Sequence, residues 1–95
     1  MGTKNNPGAY DCYANAEPDE PMFILLGRDK HAPRRVRDWA DARESAGEDP
    51  AKVQEARDCA NAMVSFRAER EKRKARAAER EIEDRMATPT QPRTE

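Results

Sequence analysis

The chain has few of the residues from which catalytic and metal sites are built. Its 95 residues include one histidine, two cysteines and one tryptophan. We find no phosphate-binding glycine-rich motif and no nucleophile elbow, and the spacing of Cys12, His31 and Cys59 matches no compact zinc pattern. The sequence therefore predicts a protein that is not an enzyme and that holds no cofactor or metal.

Long apolar runs are also scarce, and the single dense one covers residues 22–26. It is far shorter than a membrane span, and the first residues do not resemble a secretory leader. These two absences predict a cytoplasmic protein with two free thiols and no membrane partner.

The supply of large apolar side chains is small for a chain of this length. Hydrophobic residues make up 36% of the chain and charged residues 39%. Full burial of a large apolar side chain contributes about 1.5–3 kcal/mol, whereas ordering each residue costs about 1–2 kcal/mol. We therefore expect a core that is completed by another subunit, in a dimer or higher oligomer, and a disordered tail at 87–95.

The remaining sequence favours a mainly α fold, an antiparallel helical hairpin formed by residues of about 30–46 and 50–85. Asp29 is a candidate N-cap for the first helix, and Gly47 is a natural stop. Asp49 followed by Pro50 then gives a strong start signal for the second helix. In this division 1–20 is a turn-rich arm, 21–66 the helical core, and 67–86 a charged helical extension.

Each predicted helix has a face suited to packing. On the first helix the apolar stripe consists of Ala32, Val36, Trp39, Ala40 and Ala46. On the second, apolar and mostly small residues recur at helical spacing: Val53, Ala56, Ala60 and Met63. This pattern predicts close packing of the two helices, with Trp39 in the core rather than serving as a platform for a ligand.

Residues 21–27 are ambiguous, because a short apolar run between proline and glycine fits an extended segment or a short strand. A strand in this position has no second strand in the chain with which to pair. We therefore expect this segment to contact another subunit. The predicted interface residues are Met22, Phe23, Ile24, Leu25 and Trp39.

The strongest functional feature of the sequence is a cluster of cations at the start of the first helix, where the backbone dipole already favours an anion. The cluster consists of Arg28, Lys30, His31, Arg34, Arg35 and Arg37. It predicts a site for an anionic, nucleotide-like ligand. The alternative is a solvated basic face that pairs with acidic residues 44–58 of a neighbouring subunit.

Both tyrosines of the chain, Tyr10 and Tyr13, lie in the arm. They either pack on the helices or cover the anion site with a stacking surface, and we include them among the candidate ligand-binding residues. Nucleic acid is disfavoured as a partner because the net charge is −1 and glutamates are interleaved through 69–83.

Four stretches resemble a group of small, functionally uncharacterised proteins encoded by phages and prophages. They are PDEPMFILLGRD at 18–29, AP at 32–33, VRDWA at 36–40 and KVQEARDCANAM at 52–63. The resemblance covers roughly residues 8–66 and implies no catalytic residue. It implies action in the cytoplasm of a bacterial host cell, where small phage proteins inhibit host factors or sequester signalling nucleotides of host defence.

The sequence thus predicts a small binding protein that acts stoichiometrically, in counter-defence or host takeover. It would sequester an anionic ligand or inhibit a host protein. The alternative is a structural or assembly protein that uses the helical hairpin and the charged helix for self-association.

Overall fold

A computed structural model describes residues 1–87, which form three helices. They are α1 (Cys12–Asn15), α2 (Ala32–Ser45) and α3 (Pro50–Ala87). The predicted mainly α class is confirmed. Ala87 ends α3, and the rest of the predicted disordered tail lies outside the described residues.

The apolar segment 22–26 forms no strand, and none occurs anywhere between residues 1 and 87. The short-strand alternative for 21–27 is therefore wrong. A strand needs a neighbour to receive its backbone hydrogen bonds, and the described chain supplies none. The segment is instead irregular and ends in a turn that begins at Gly27.

The arm contains one helical turn, α1, although its glycines and prolines favour turns throughout. Asp11 precedes it, and the side chain of Asp11 accepts a hydrogen bond from the backbone amide of Ala14 at 3.2 Å. This is an N-cap interaction, which satisfies an amide that the helix leaves unpaired. The predicted turn-rich arm therefore includes one capped helical turn.

Helix α2 begins two residues later than predicted, with His31 rather than Asp29 at the N-cap. The side chain of Asp29 accepts from the backbone amide of His31 at 2.8 Å, and its carbonyl accepts from Ala32 at 3.0 Å. Asp29 therefore closes a turn that precedes the helix. Its side chain makes this local bond with the backbone of His31 instead of capping the helix.

The loop between α2 and α3 follows the predicted signals. Gly47 has a φ of +84°, and the amides of Gly47 and Glu48 bond the carbonyls of Glu44 and Arg43, at 3.1 and 3.0 Å. This pattern is a Schellman motif, which ends a helix on a left-handed residue. Asp49 then accepts from the amide of Ala51 at 2.9 Å, at the start of α3.

We expect Gly47→Ala to destabilise the protein by about 1 kcal/mol, because a Cβ disfavours the left-handed conformation. An added Cβ would meet no atom within 4 Å, so the whole cost lies in the backbone. Chemical denaturation measures it. Gly47→Asn is the control, since asparagine tolerates this conformation better, and equal losses for the two variants would contradict the explanation.

Helices α2 and α3 pack through small side chains. Ala40, Val53 and Ala56 form the centre of the core, and Val36 packs against them while partly buried. Alanines on both helices allow the backbones to approach closely. Trp39, in contrast, is 41% exposed, so its predicted place in the core is wrong. An indole is too large for a contact made by alanines, and Arg43 lies over its outer face instead.

Polar side chains of α2 and α3 bond to each other at the edges of the apolar contact. The guanidinium of Arg57 bonds the carboxylates of Asp41 and Glu44 at 2.9 and 3.0 Å, and Arg37 donates to the side-chain oxygen of Asn61 at 2.7 Å. The hydrogen bond from Arg57 holds the pKa of Glu44 below its ordinary value. Exposed ion pairs of this kind contribute little individually, so the packing of α2 on α3 rests mainly on the apolar contact between them.

Helix α3 is much longer than the helix that packs on it. Its 38 residues span about 57 Å, whereas the 14 residues of α2 span about 21 Å. Residues 71–86 are all exposed. None of the helices between residues 1 and 87 combines the length and the apolar character that crossing a membrane requires.

Candidate anion-binding groove

A shallow groove of about 380 Å³ lies between the start of α2 and the middle of α3. Four cationic side chains converge on it: Lys30, Arg34, Arg37 and Arg67. Its apolar lining is supplied by Pro33, Val64 and Ala68, and Glu71 is its one carboxylate. Four positive charges against one negative charge make it an electropositive concavity, which we call the basic groove.

The local structure explains why these cations meet. Lys30 precedes α2, and Arg34 and Arg37 follow on its first turns, at the spacing that puts residues on one face. Pro33 is buried between them and fixes the entry of the helix. The hydrogen bond from Arg37 to Asn61 holds one wall of the groove against α3. The groove therefore has an ordered frame that carries exposed cationic side chains.

The structure divides the predicted cation cluster into two groups. Lys30, Arg34 and Arg37 line the groove, whereas Arg28, His31 and Arg35 do not. Arg35 is on another face of α2, where it pairs with Asp38 at 3.5 Å. The neighbouring arginines Arg34 and Arg35 thus have different surroundings, which makes them a matched pair for experiments.

Arg67 is the groove residue that sequence reasoning assigned elsewhere, to the solvated extension. The sequence does show that Arg67 shares one face of α3 with other groove residues, because Val64, Arg67, Ala68 and Glu71 follow helical spacing. Which face of α3 turns towards the start of α2 depends on the packing of the two helices. Periodicity within one helix does not carry that information.

The two tyrosines lie away from the basic groove. The hydroxyl of Tyr10 donates to Asp49 Oδ2 at 3.1 Å, next to the start of α3, and this bond raises the pKa of Tyr10. Tyr13 is 72% exposed and lines a second groove, of about 400 Å³, beside the apolar segment 22–24. The packing alternative describes Tyr10, and neither tyrosine lines the basic groove.

Glu55 anchors the arm to α3, an arrangement with no sequence motif. Its two carboxylate oxygens accept from the backbone amides of Ala9 and Tyr10 at 2.9 and 3.0 Å. The amino group of Met1 also lies 3.1 Å from Oε2. Burial raises the pKa of Glu55, but the hydrogen bonds from Ala9 and Tyr10 and the nearby ammonium together lower it below its ordinary value. The carboxylate form therefore fastens the arm.

Four of the five predicted interface residues, Met22 to Leu25, form a largely exposed apolar segment, and the fifth, Trp39, is exposed on α2. Phe23 is 87% exposed, Met22 and Ile24 are more than half exposed, and Leu25 is partly buried. Gly27 ends the segment and sits against α3, where an added Cβ would lie 3.4–3.6 Å from Phe66 and Met63. This contact holds the base of the segment, while the side chains of Met22, Phe23 and Ile24 face solvent.

Two further observations bear on function. Comparisons with protein-family models, with curated proteins and with solved structures found no match. Within the described part of the chain, no group of three or more histidine, cysteine, aspartate or glutamate side chains could hold a metal ion. A functional assignment must therefore rest on the geometry of the basic groove and the exposed surfaces.

Proposed function

We propose that the protein is a small binding protein whose basic groove takes a compact anionic ligand of the nucleotide class. It acts stoichiometrically, by sequestration and without turnover. The observation that carries this proposal is the convergence of Lys30, Arg34, Arg37 and Arg67 on one groove with an apolar lining. Cations are mildly unfavourable at a helix start, so a bound anion would offset a local cost that the fold alone does not explain.

The groove has the two kinds of surface that a nucleotide needs. Arginine and lysine donate charge-assisted hydrogen bonds to phosphate oxygens, and arginine does so with two donors at once. The exposed apolar side chains of Val64 and Ala68 offer a contact for a base or a ribose. A volume of about 380 Å³ lies within the range of small-ligand sites, near its lower end.

The proposed architecture is an antiparallel helical hairpin of α2 and α3 in an oligomer. The exposed segment 22–26 and Trp39 would then contact a second subunit or a host protein. Met22, Phe23 and Ile24 support this part of the proposal, because large apolar side chains grouped on a surface mark interaction sites. In the setting that the phage resemblance implies, the ligand would be a signalling nucleotide of the bacterial host.

Calorimetric titration with pyrophosphate and with ATP tests the groove. We expect Arg34→Glu to weaken binding by at least about 10-fold, because it removes a charge-assisted hydrogen bond worth roughly 1.5–3 kcal/mol and adds repulsion. Far-ultraviolet circular dichroism should be unchanged, since Arg34 is exposed.

Arg35→Glu is the matched control, because Arg35 neighbours Arg34 in sequence but pairs with Asp38 outside the groove. It should change the affinity by less than about 3-fold, through long-range charge alone. Equal losses for both variants would show that binding follows overall charge and not the groove. No binding of either anion by the unaltered protein would overturn the proposal.

A further inference from the structure

The second half of α3 projects beyond the body of the protein and carries an uneven charge distribution. Residues 67–77 contain six cations and two carboxylates, whereas residues 78–87 contain four carboxylates and two cations. The projecting segment 67–87 is therefore basic in its first half and acidic in its second half. Two such helices placed side by side in opposite directions would bring each basic half against an acidic half.

One face of this projecting helix is made of small and apolar residues at alternating spacings of four and three. The residues are Val64, Ala68, Ala75, Ala78 and Ile82, with Glu71 completing the pattern between Ala68 and Ala75. All of them are exposed. Val64, Ala68 and Glu71 also line the basic groove beside the start of α2, whereas Ala75, Ala78 and Ile82 lie beyond it. The spacing is that of a seam between two supercoiled helices, and alanine at its centre permits a close approach.

The charged residues beside the seam decide the direction of pairing. Lys72 and Glu79 flank it on one side, and Lys74 and Glu81 flank it on the other. In an antiparallel pair centred between Ala75 and Ala78, Lys72 of each copy lies beside Glu79 of the other. Lys74 likewise lies beside Glu81, so the two-fold symmetry produces four attractive contacts.

A parallel pair has a less favourable pattern. In a parallel pair, a residue that flanks one side of the seam lies beside the residue five positions later in the other copy. Arg67 of one copy would therefore lie beside Lys72 of the other. Lys74 would meet Glu79, and Glu81 would meet the uncharged Met86. On each side of the symmetric parallel pair, one repulsive contact cancels one attractive contact, so the charges do not favour this arrangement. The charges therefore select the antiparallel direction.

We infer that the projecting part of α3 is a self-association surface that binds the same segment of a second copy in the antiparallel direction. This inference does not depend on the anion-binding proposal, and its test contains no ligand. The seam is narrow and interrupted by Glu71, so the flanking charges carry a large share of the association. The dimer should therefore weaken as salt shortens the range of these charges.

Sedimentation equilibrium of the full chain over a concentration series tests the inference with two charge-reversed variants. The first is Lys72→Glu with Lys74→Glu, and the second is Glu79→Lys with Glu81→Lys. Each turns four attractive contacts into four repulsive ones. Because each contact is exposed and contributes little by itself, reversing all four should weaken self-association roughly 100-fold.

A mixture of the two variants in equal amounts provides the decisive measurement. One variant then carries glutamate at all four flanking positions and the other carries lysine, so a heterodimer regains every attractive contact. Its affinity should equal or exceed that of the unaltered homodimer. Because restored association requires folded helices, this result separates charge repulsion from a folding defect.

Phe23→Ser is the control for the other exposed surface, since Phe23 is 87% exposed on the arm. It should leave the association through α3 unchanged, because the contact proposed for segment 22–26 is a separate surface. Loss of association on Phe23→Ser, with none in the charge-reversed variants, would assign the interface to the arm and overturn the inference. It would also be overturned if the unaltered protein remained monomeric throughout the series, or if mixing failed to restore association.

The direction of pairing can be measured separately with a spin label on Cys59 in a Cys12→Ser chain. Cys59 lies about 17 residues from the centre of the seam, so an antiparallel pair places the two labels on the order of 50 Å apart. A parallel pair would bring them within roughly 10–20 Å, the spacing of adjacent helices plus the label arms. The short distance would overturn the antiparallel assignment.

Discussion

Replacing Ala56 by leucine is expected to lower the free energy of unfolding by about 1–3 kcal/mol, the usual cost of overfilling a packed core. Ala56 is fully buried between α2 and α3, where Ala40 and Val53 surround it. Three additional heavy atoms have no space there unless the helices separate. Separation would also stretch the bonds that Arg57 makes to Asp41 and Glu44.

Thermal unfolding followed by circular dichroism measures this effect. For a domain of this size, a loss of 1 kcal/mol corresponds to a fall in Tm of roughly 4–8 °C. Ala62→Leu is the matched control, because Ala62 is exposed on the same helix and leucine is also a strong helix former. If both variants unfold at the same temperature, close packing through Ala56 is not what holds α2 to α3.

The second large effect is expected from Glu55→Gln, which should release the arm from α3. The carboxylate of Glu55 accepts from Ala9 and Tyr10 through different oxygens. Glutamine keeps one acceptor and turns an amino group towards the other donor, so at least one bond is lost and two donors oppose each other. The arm should then separate locally while α2 and α3 remain packed.

Amide hydrogen exchange detects this release at the residues concerned. We expect exchange at Ala9 and Tyr10 to accelerate on the order of 10-fold or more, whereas amides near Val53 keep their protection. Glu69→Gln, on the exposed part of α3, should leave the arm unchanged. Unaltered exchange at Ala9 and Tyr10 in Glu55→Gln would show that other contacts hold the arm.

Acidification should release the arm in the same way. The pKa of Glu55 is lower in the folded protein than its ordinary value of 4.5, so folding favours the carboxylate. The stabilisation is therefore complete above that value and is lost as the pH falls through the lowered pKa. Amide chemical shifts of Ala9 and Tyr10 should change in this acidic range, and Glu55→Gln should abolish the change.

The loop between α2 and α3 illustrates what can be read from the sequence. Gly47 ends one helix, and Asp49 with Pro50 begins the next, as the sequence predicts. These signals act between residues only a few positions apart, so no knowledge of the fold is needed. Asp29 shows where such local signals fail to decide. Its side chain could either cap α2 or close the preceding turn, and in the structure it closes the turn.

The basic groove required more than local signals. The sequence predicted an anion site at the start of α2, but Arg34 and Arg35 were equivalent candidates there. Only the packing of α2 on α3 turns Arg34 towards Arg67 and leaves Arg35 beside Asp38. The same packing exposes Trp39, because alanines already fill the contact between the helices.

The sequence by itself determined the helical class, the boundary between α2 and α3, and the small-residue face that joins them. Those features follow from conformational preferences and periodicity within one helix. Only the tertiary structure decided which cations share a groove, that Glu55 fastens the arm, and how much of α3 remains uncovered. These features depend on contacts between residues far apart in the chain, which local preferences do not specify.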